Sequence, residues 1–210
     1  MKKIYKNVFL SENIYISDFV ILGLPPKGKK IEDLVLQIGE GSIIREFSVI
    51  YAGTIIGKNF QTGHYSLVRE NNIIGDNVSL GTTAELGPGN KIGNNVRIHS
   101  GCFLENVVIG NNVFVGPNTV FLDDLHPPCP KYSECIGGAV VEDNVRIGGN
   151  VTILPGVKIG TNSLIGAGTI LTKNVPSNSV IAGNPARIIK NISELKCIKK
   201  FFKKPYIMEK

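Results

Sequence analysis

An aliphatic residue returns at every sixth position between residues 38 and 104. A helix repeats every 3.6 residues and a strand alternates every second residue, so neither element by itself carries a period of six. The pattern therefore predicts a solenoid of short parallel strands joined by regular corners. The frame contains Ile38, Ile44, Ile50, Ile56, Thr62, Val68, Ile74, Leu80, Leu86, Ile92, Ile98 and Leu104, and only Thr62 is not aliphatic.

The residues between the aliphatic positions fit such corners. The fourth residue after each aliphatic is usually small or β-branched, as at Ser42, Thr54 and Ala84, and this predicts a second inward position where the walls crowd together. Triplets such as Gly-Lys-Asn and Gly-Asp-Asn follow many of the predicted strands. Glycine and asparagine tolerate left-handed backbone, which a tight corner requires.

The same frame continues toward both ends of the chain, with two interruptions. It includes Leu10, Ile16 and Leu22 at the start, and it ends near Leu171 after one unit that is a residue short following Leu104. Residues 23–37 and 122–140 break the count, and both are predicted to protrude as loops. The first loop contains Lys27, Lys29 and Lys30; it is either a solvated connection or a contact for substrate phosphates.

Composition narrows the class of protein. The chain of 210 residues is 42% hydrophobic, has no apolar run long enough to span a bilayer and does not start like a signal peptide, so we expect a cytoplasmic protein. Its cysteines at 102, 129, 135 and 197 have no disulfide-framework spacing and are expected to be reduced. The net charge of +6 resides in the last 24 residues, and the solenoid itself is neutral. A nucleic-acid-binding protein would have basic residues along its binding face, so no nucleic-acid partner is expected.

The basic end of the chain is predicted to be a separate segment, residues 190–210, after a solenoid domain of residues 1–189. Asn191 and Glu194 have capping-box spacing, and Ile192, Leu195, Ile198 and Phe202 share one helical face. The pattern predicts a short C-terminal α-helix. It would either cover the open end of the solenoid or lie on a membrane surface.

The closing motifs resemble those of a known family. Hexapeptide repeats, a His-Pro pair at residues 126–127, TKNVP at 172–176 and GNPAR at 183–187 together resemble the hexapeptide-repeat acyltransferases, in particular the N-acetyltransferases of nucleotide-linked amino sugars. The resemblance implies an all-β, left-handed parallel β-helix of about eight triangular coils and a homotrimer with sites between subunits. It also implies transfer of acetyl from acetyl-CoA, without a metal, to the amino group of a UDP- or dTDP-linked amino sugar.

The resemblance also suggests catalytic residues. In galactoside and maltose acetyltransferases the histidine of a similar His-Pro pair is the general base, so this role is expected for His126. Asp123 or Asp124 would orient His126 or bind a sugar hydroxyl. His99 is the second catalytic candidate.

Two histidines are expected on one wall. Thr62 and Ile98 are thirty-six residues apart, so the nearby His64 and His99 should lie two coils apart on the outside of the same wall. The segments GHYSLVREN and VRIHSG resemble parts of sugar-modifying relatives. His64, Arg69 and Glu70 are therefore candidates for substrate contacts.

The last coils supply the cofactor candidates. Small residues there would leave a smooth groove for the pantetheine arm of coenzyme A. Matching the closing motifs places Gly149 and Ala167 at the pantetheine, Thr172 and Lys173 near the nucleotide, and Arg187 near the phosphates.

Three other functions remain open on the sequence. One is an O-acetyltransferase of a sugar or polysaccharide hydroxyl, and another is a non-catalytic hexapeptide scaffold. The third is a zinc protein like the γ-class carbonic anhydrases, but the residue five beyond His99 is Leu104 where a close histidine pair would be needed. His126, Cys129 and Cys135 similarly lack a fourth metal ligand.

Overall fold

The protein was analysed as a computed structural model, which describes residues 1–128, 130–135 and 137–206. Three sheets form the three walls of a triangular prism. Cys129 lies outside the described residues, so the hypotheses on it are not tested.

Each wall is a stack of short strands. Wall 1 contains β1 (Lys3–Ile4), β4 (Ile21–Leu24), β7 (Val49–Tyr51), β10 (Leu67–Val68), β13 (Glu85–Leu86), β16 (Phe103–Leu104), β19 (Val120–Phe121), β22 (Thr152–Ile153) and β25 (Ile170–Leu171). Wall 2 contains β2 (Val8–Leu10), β5 (Leu36–Ile38), β8 (Ile55–Ile56), β11 (Ile73–Ile74), β14 (Lys91–Ile92), β17 (Val108–Ile109), β20 (Val140–Val141) and β23 (Lys158–Ile159). Wall 3 contains β3 (Tyr15–Ile16), β6 (Ile43–Ile44), β9 (Gln61–Thr62), β12 (Ser79–Leu80), β15 (Arg97–Ile98), β18 (Phe114–Val115), β21 (Arg146–Ile147), β24 (Leu164–Ile165), β26 (Ser179–Ala182) and β27 (Arg187–Asn191).

Helical structure is confined to short pieces in the described residues. They are two single 3₁₀ turns, Ile31–Asp33 and Ile192–Glu194, and one α-helical turn, α1 (Tyr132–Cys135). The fold is an all-β parallel β-helix, as the repeats predict, and it has the left hand that the family resemblance implies.

The register confirms three six-residue units per coil. Leu67 pairs with Glu85, eighteen residues later, and the same offset recurs along each wall. After Leu104 the offset falls to seventeen, for example between Lys91 and Val108, which is where the sequence shows a unit one residue short. The predicted coil count of about eight agrees with walls of nine, eight and ten strands.

The predicted inward positions form the core. All residues of the six-residue frame from Ile38 to Leu104 are buried, and the frame stays buried from Ile109 to Leu171. Thr62 also points inward, where its hydroxyl accepts from the Arg45 backbone N–H and lies 3.1 Å from the Ser48 hydroxyl. These bonds explain how one polar residue fits a frame of aliphatics.

The corner between walls 2 and 3, corner 2–3, is closed by asparagines in left-handed backbone, as the Gly-x-Asn triplets predict. The side chains of Asn59, Asn77, Asn95 and Asn112 form a ladder in which each amide donates to the next at 3.0–3.1 Å. Beside it, carboxylate and amide oxygens of Asp76, Asn94, Asn111 and Asp143 accept from backbone N–H groups one coil earlier. The backbone N–H groups of Lys58, Asp76, Asn94 and Asn111 are therefore satisfied within the chain.

Both insertions leave the prism at the corner between walls 1 and 2, corner 1–2. Residues 25–35 connect β4 to β5, and residues 122–139 connect β19 to β20. The prediction of two protruding loops is confirmed. The corner between walls 3 and 1 is corner 3–1. His64 and His99 follow strands of wall 3 and therefore lie at corner 3–1, away from both insertions.

The prediction of a C-terminal α-helix is wrong for the residues described, which end at Tyr206. Arg187–Asn191 form β27, antiparallel to β26, and the Asn191–Glu194 capping box starts only the single 3₁₀ turn Ile192–Glu194. Lysines spaced three or four residues apart repel one another along such a helix, and Ile198 and Phe202 stay exposed with no surface to pack on. The tail instead returns along wall 3, where the Tyr206 ring lies 4.1 Å from the Arg146 guanidinium.

Within the ranges described above, no helix has the length and hydrophobicity needed to cross a membrane.

Candidate functional site

A column composed mostly of glycines marks corner 3–1. It consists of the residues that directly follow the seven wall 3 strands from β6 to β24: Arg45, Gly63, Gly81, His99, Gly116, Gly148 and Gly166. We call it the glycine column. A Cβ at Gly63 would overlap the Thr82 nitrogen and one at Gly81 the Ser100 nitrogen, so neither position can carry a side chain unless the next coil shifts.

The backbone donors beside the glycine column have no partner in the described part of the chain. No carbonyl or side chain there accepts from the N–H of His64, Thr82, Ser100, Gly149 or Ala167. At corner 2–3 the corresponding N–H groups of Lys58, Asp76 and Asn94 are all capped by side-chain oxygens. Corner 3–1 therefore presents a row of unpaired donors that a ligand with carbonyl or phosphate oxygens could meet.

His64 and His99 lie two coils apart on the outside of wall 3, as predicted, and line one cavity of about 330 Å³. His64 Nδ1 is 3.1 Å from a Glu46 carboxylate oxygen, and the half-buried His99 ring packs at 60° to Phe114, with centroids 5.6 Å apart. His99 occupies the middle of the glycine column. Gly63 and Gly81 lie on one side of it, and Gly116, Gly148 and Gly166 on the other.

Sequence reasoning missed Arg45 and Arg97, which line the same cavity. Arg45 fills the glycine-column position one coil before Gly63, and Arg97 points outward from β15. Neither guanidinium forms an ion pair with a described carboxylate. Aligning the chain at eighteen-residue offsets would have placed both arginines next to the two histidines.

The predicted cofactor residues fall into two groups that meet near Arg187. Thr172, Lys173 and Arg187 line a cavity of about 660 Å³ at the end of the prism. Arg187 pairs with Ala182, whose Cβ would lie 3.1 Å from a Cβ at Gly166, so Arg187 lies beyond the last glycine of the column. Gly149 and Ala167 lie at corner 3–1 beside the column.

The loop of residues 122–139 is fixed to the prism by Asp123. Its buried carboxylate accepts hydrogen bonds from the Asn106 amide and the Tyr132 hydroxyl, both at 2.8 Å. The bond from the hydroxyl to this carboxylate, with some burial, raises the pKa of Tyr132 to about 12. Asp123 is thus an anchor for the loop.

His126 is exposed on this loop, at corner 1–2. Its backbone N–H donates to an Asp124 carboxylate oxygen at 2.8 Å, so Asp124 is the acidic residue next to it. Within one chain the structure does not bring His126 together with His64 and His99, which belong to corner 3–1.

Arg69 and Glu70 also lie at corner 1–2. They form a two-pronged ion pair, with two N–O distances of 2.8 Å, and this pair raises the pKa of Arg69. The Arg69 guanidinium is 5.3 Å from the Tyr51 ring centroid. Within one chain these two residues lie at a different corner from His64, and the substrate contacts expected of Arg69 and Glu70 stay a prediction.

No three histidine, cysteine or acidic side chains among the described residues come together in an arrangement that could hold a metal ion.

Comparison with known proteins agrees with this fold. The family pattern described as bacterial transferase hexapeptide (six repeats) matches residues 91–123 and 138–173, and the hexapeptide repeat of succinyl-transferase matches residues 71–106. The two matches together cover residues 71–123 and 138–173, so the repeats of this chain are similar to those of bacterial hexapeptide transferases.

Individual relatives are acetyltransferases. The chain is 40% identical over 91 residues to a 2,3,4,5-tetrahydropyridine-2,6-dicarboxylate N-acetyltransferase of Staphylococcus aureus, which is 43% of this chain and 36% of that protein. A maltose O-acetyltransferase of Clostridium difficile is 35% identical, with a TM-score of 0.48 over 56% of this chain and 67% of its own. A Vibrio cholerae hexapeptide-repeat acetyltransferase, solved with acetyl-coenzyme A, is 29% identical, with a TM-score of 0.44 over 53% and 69%. The chain spans less than half the length of the curated relatives it matches.

Proposed function

We propose that this protein is an acetyltransferase that moves an acetyl group from acetyl-CoA to the amino group of a nucleotide-linked amino sugar. The observation that carries the proposal is the glycine column, in which His99 separates two smooth halves and arginines stand near both ends. A thioester donor in one half and an acceptor in the other would meet at the histidine. Hexapeptide repeats of the transferase type and the similarity to an N-acetyltransferase support acyl transfer.

The cofactor half is the one that contains Gly116, Gly148 and Gly166. The unpaired N–H groups of Gly149 and Ala167 can donate to the amide carbonyls of the pantetheine arm. Arg187 and Lys173 supply positive charge for the phosphates at the end of the prism, where they share one cavity.

The reaction needs one proton acceptor. The neutral amine attacks the thioester carbonyl carbon, and a backbone N–H beside the column stabilises the oxyanion of the tetrahedral intermediate. The intermediate collapses, the C–S bond breaks, and the thiolate leaves. The proton lost by the amine passes to a histidine, which can return it to the thiolate.

Assembly of subunits would bring two histidines, His126 and His99, into one active site. We infer a homotrimer in which the loop of residues 122–139 reaches wall 3 of a neighbouring subunit, so that His126 of one subunit faces His99 of the next. An exposed loop on one corner and a groove on another suit such an arrangement, since a convex prism forms few concave sites by itself. His126 is then the general base, and His99 orients the acceptor.

Thiol release from acetyl-CoA tests the reaction. UDP- and dTDP-linked amino sugars should give release above the rate of hydrolysis, and mass spectrometry should show an acetamide product. Equal release with the corresponding hydroxyl sugars would instead identify an O-acetyltransferase. No release with any sugar, from a folded protein that binds coenzyme A, would reject the enzyme assignment.

The phosphate contacts make a separate prediction. Replacing Lys173 and Arg187 together by glutamine should raise the KM for acetyl-CoA about tenfold or more and change kcat little. The phosphate contacts stabilise the bound ground state and the transition state equally, so their loss weakens binding without raising the barrier from the bound complex. The matched control is Lys190→Gln, on the same strand as Arg187 but outside the cavity. With acetyl-pantetheine, which has no phosphates, the double variant and the unaltered protein should behave alike. A penalty that persists with acetyl-pantetheine would contradict the assigned role.

A further inference from the structure

The half of the glycine column opposite the cofactor half is built to bind anions. Its cavity is lined by Arg45, Arg97, His64 and His99, and no described lining residue carries a carboxylate. Glu46 approaches it only through its contact with His64. Two guanidiniums without ion pairs on one groove attract phosphate or carboxylate groups.

Neutral donors converge on the same groove. Ser79, Thr82 and Ser100, which carry hydroxyls, line it, and the backbone N–H groups of Thr82 and Ser100 have no acceptor among the described residues. Gly63 and Gly81 keep side-chain atoms away from those two nitrogens. Successive free backbone donors beside cations are the usual construction of a phosphate site.

The size of the groove limits what it holds. A cavity of about 330 Å³ is near the lower end of the range of about 300–1,000 Å³ for small-molecule sites. It therefore takes the charged part of a ligand, and the remainder must lie on an adjoining surface.

That adjoining surface is a ladder of aromatic rings. Phe19, Phe47 and Tyr65 stack at corner 3–1 with centroid separations of 5.2 and 4.6 Å and interplanar angles of 5°. All three are exposed and all three have positive φ, near +60°. Left-handed backbone disfavours aromatic residues, and later coils place Thr83, Gly101 and Asn118 at this position, so the corner itself does not require rings.

The ladder ends next to the anion groove. Tyr65 directly follows His64, and the next rung is Thr83, which directly follows Thr82 of the cavity lining. Thr83 is exposed and carries no ring, so the Tyr65 face toward it is open for a planar group at the ladder spacing. A flat ring over Thr83 and a diphosphate in the groove would be neighbours.

We propose that this combined surface binds a nucleoside diphosphate, with its base stacked on Tyr65 over Thr83 and its phosphates between Arg45 and Arg97. The inference rests on the proposed function, because it names the part of a nucleotide-linked substrate that this half of the column holds. It places the nucleotide on the far side of His99 from the cofactor. The sugar would then lie beside His99.

Direct binding of UDP and TDP, measured by calorimetry on the full chain, tests the site without any acetyl transfer. UDP should bind at least tenfold more tightly than pyrophosphate or uridine alone, since each of these lacks one of the two contacts. Binding should persist in saturating coenzyme A. Displacement of UDP by coenzyme A would overturn the proposal, because the groove would then take the nucleotide of the cofactor.

Variants separate the two contacts. Tyr65→Thr should weaken UDP about tenfold and leave pyrophosphate unchanged, whereas Arg97→Gln should weaken both. Threonine suits this backbone, because Thr83 has the same φ of +56°. Phe19→Thr, at the far end of the ladder, and Lys91→Gln, on wall 2, are the matched controls and should change neither affinity. Equal affinities for UDP and pyrophosphate in unaltered protein would reject the stacked base.

The outcomes also separate this site from the enzyme assignment. Acetylation of a plain amino sugar without any UDP binding would reject the nucleotide site and leave an acetyltransferase. UDP binding with the stated variant pattern, but no thiol release with any acceptor, would support the site and reject the proposed reaction.

Discussion

Replacing His126 by asparagine should lower kcat by about 10² or more, because the amine then loses its proton acceptor during attack on the thioester. Acetyl-CoA affinity should change little, since the proposed cofactor contacts lie at corner 3–1 and at the end of the prism. Steady-state kinetics with direct measurement of coenzyme A binding checks both parts. Because His126 is exposed, its replacement should not impair folding, so a lower kcat would report a loss of catalysis.

The control for this variant is His64→Asn, which alters a histidine other than the two proposed catalytic histidines, His126 and His99. It should raise the KM for the acceptor more than it lowers kcat. A His126 variant with nearly full turnover would move the proton acceptor to His99 or to the leaving thiolate.

Assembly can be checked with the same preparations. Light scattering should report a trimer, and mixing the inactive variants His126→Asn and His99→Asn should restore part of the activity, because each mixed trimer can contain a site with both histidines. A fully active monomer would contradict a site formed between subunits.

The largest expected loss of stability is at Asn90. Its buried side chain donates to Asn72 Oδ1 at 2.8 Å and to the Gly87 carbonyl at 2.9 Å, and it accepts from the Val107 N–H at 2.9 Å. Asn90→Ala leaves several buried polar groups without partners, which should lower the free energy of unfolding by about 3 kcal/mol. Urea unfolding followed by far-ultraviolet circular dichroism measures the change.

Asn94→Ala is the matched comparison, since Asn94 also caps a backbone N–H of a neighbouring coil, that of Asp76 at 2.8 Å, but is exposed. Water can replace this bond, so the loss should be below about 1 kcal/mol. Equal effects at Asn90 and Asn94 would show that burial does not set the strength of these asparagine bonds between coils.

The period of six predicted the prism well, because it reflects the one requirement common to every coil, an apolar side chain facing the axis. It could not show how Asn72 and Asn90 fit the second inward position, which is usually small or β-branched, since their burial depends on hydrogen bonds between coils. It could not show the fate of the tail either. Capping residues define where a helix can start, whereas its continuation depends on a surface to pack against.

The candidate site was predictable residue by residue but not as a whole. The eighteen-residue offset correctly placed His64 and His99 together, because both belong to regular coils. His126 belongs to an insertion, and the length of an insertion does not specify the direction in which it folds. Arg45 and Arg97 were missed because each looks like an ordinary surface residue in the sequence. Only the stacking of the coils shows that Gly63 and Gly81 leave a groove between the two arginines.

The two insertions at corner 1–2 leave the pairing of the neighbouring strands intact. Val8 pairs with Leu36, and Val108 with Val140, at offsets of 28 and 32 residues in place of the usual 18. Loop length at this corner is therefore uncoupled from the inward frame, and the entropic penalty of closing a longer loop grows only slowly. The corner is an insertion point at which peptides or small domains could be grafted without a change in the register of the three walls.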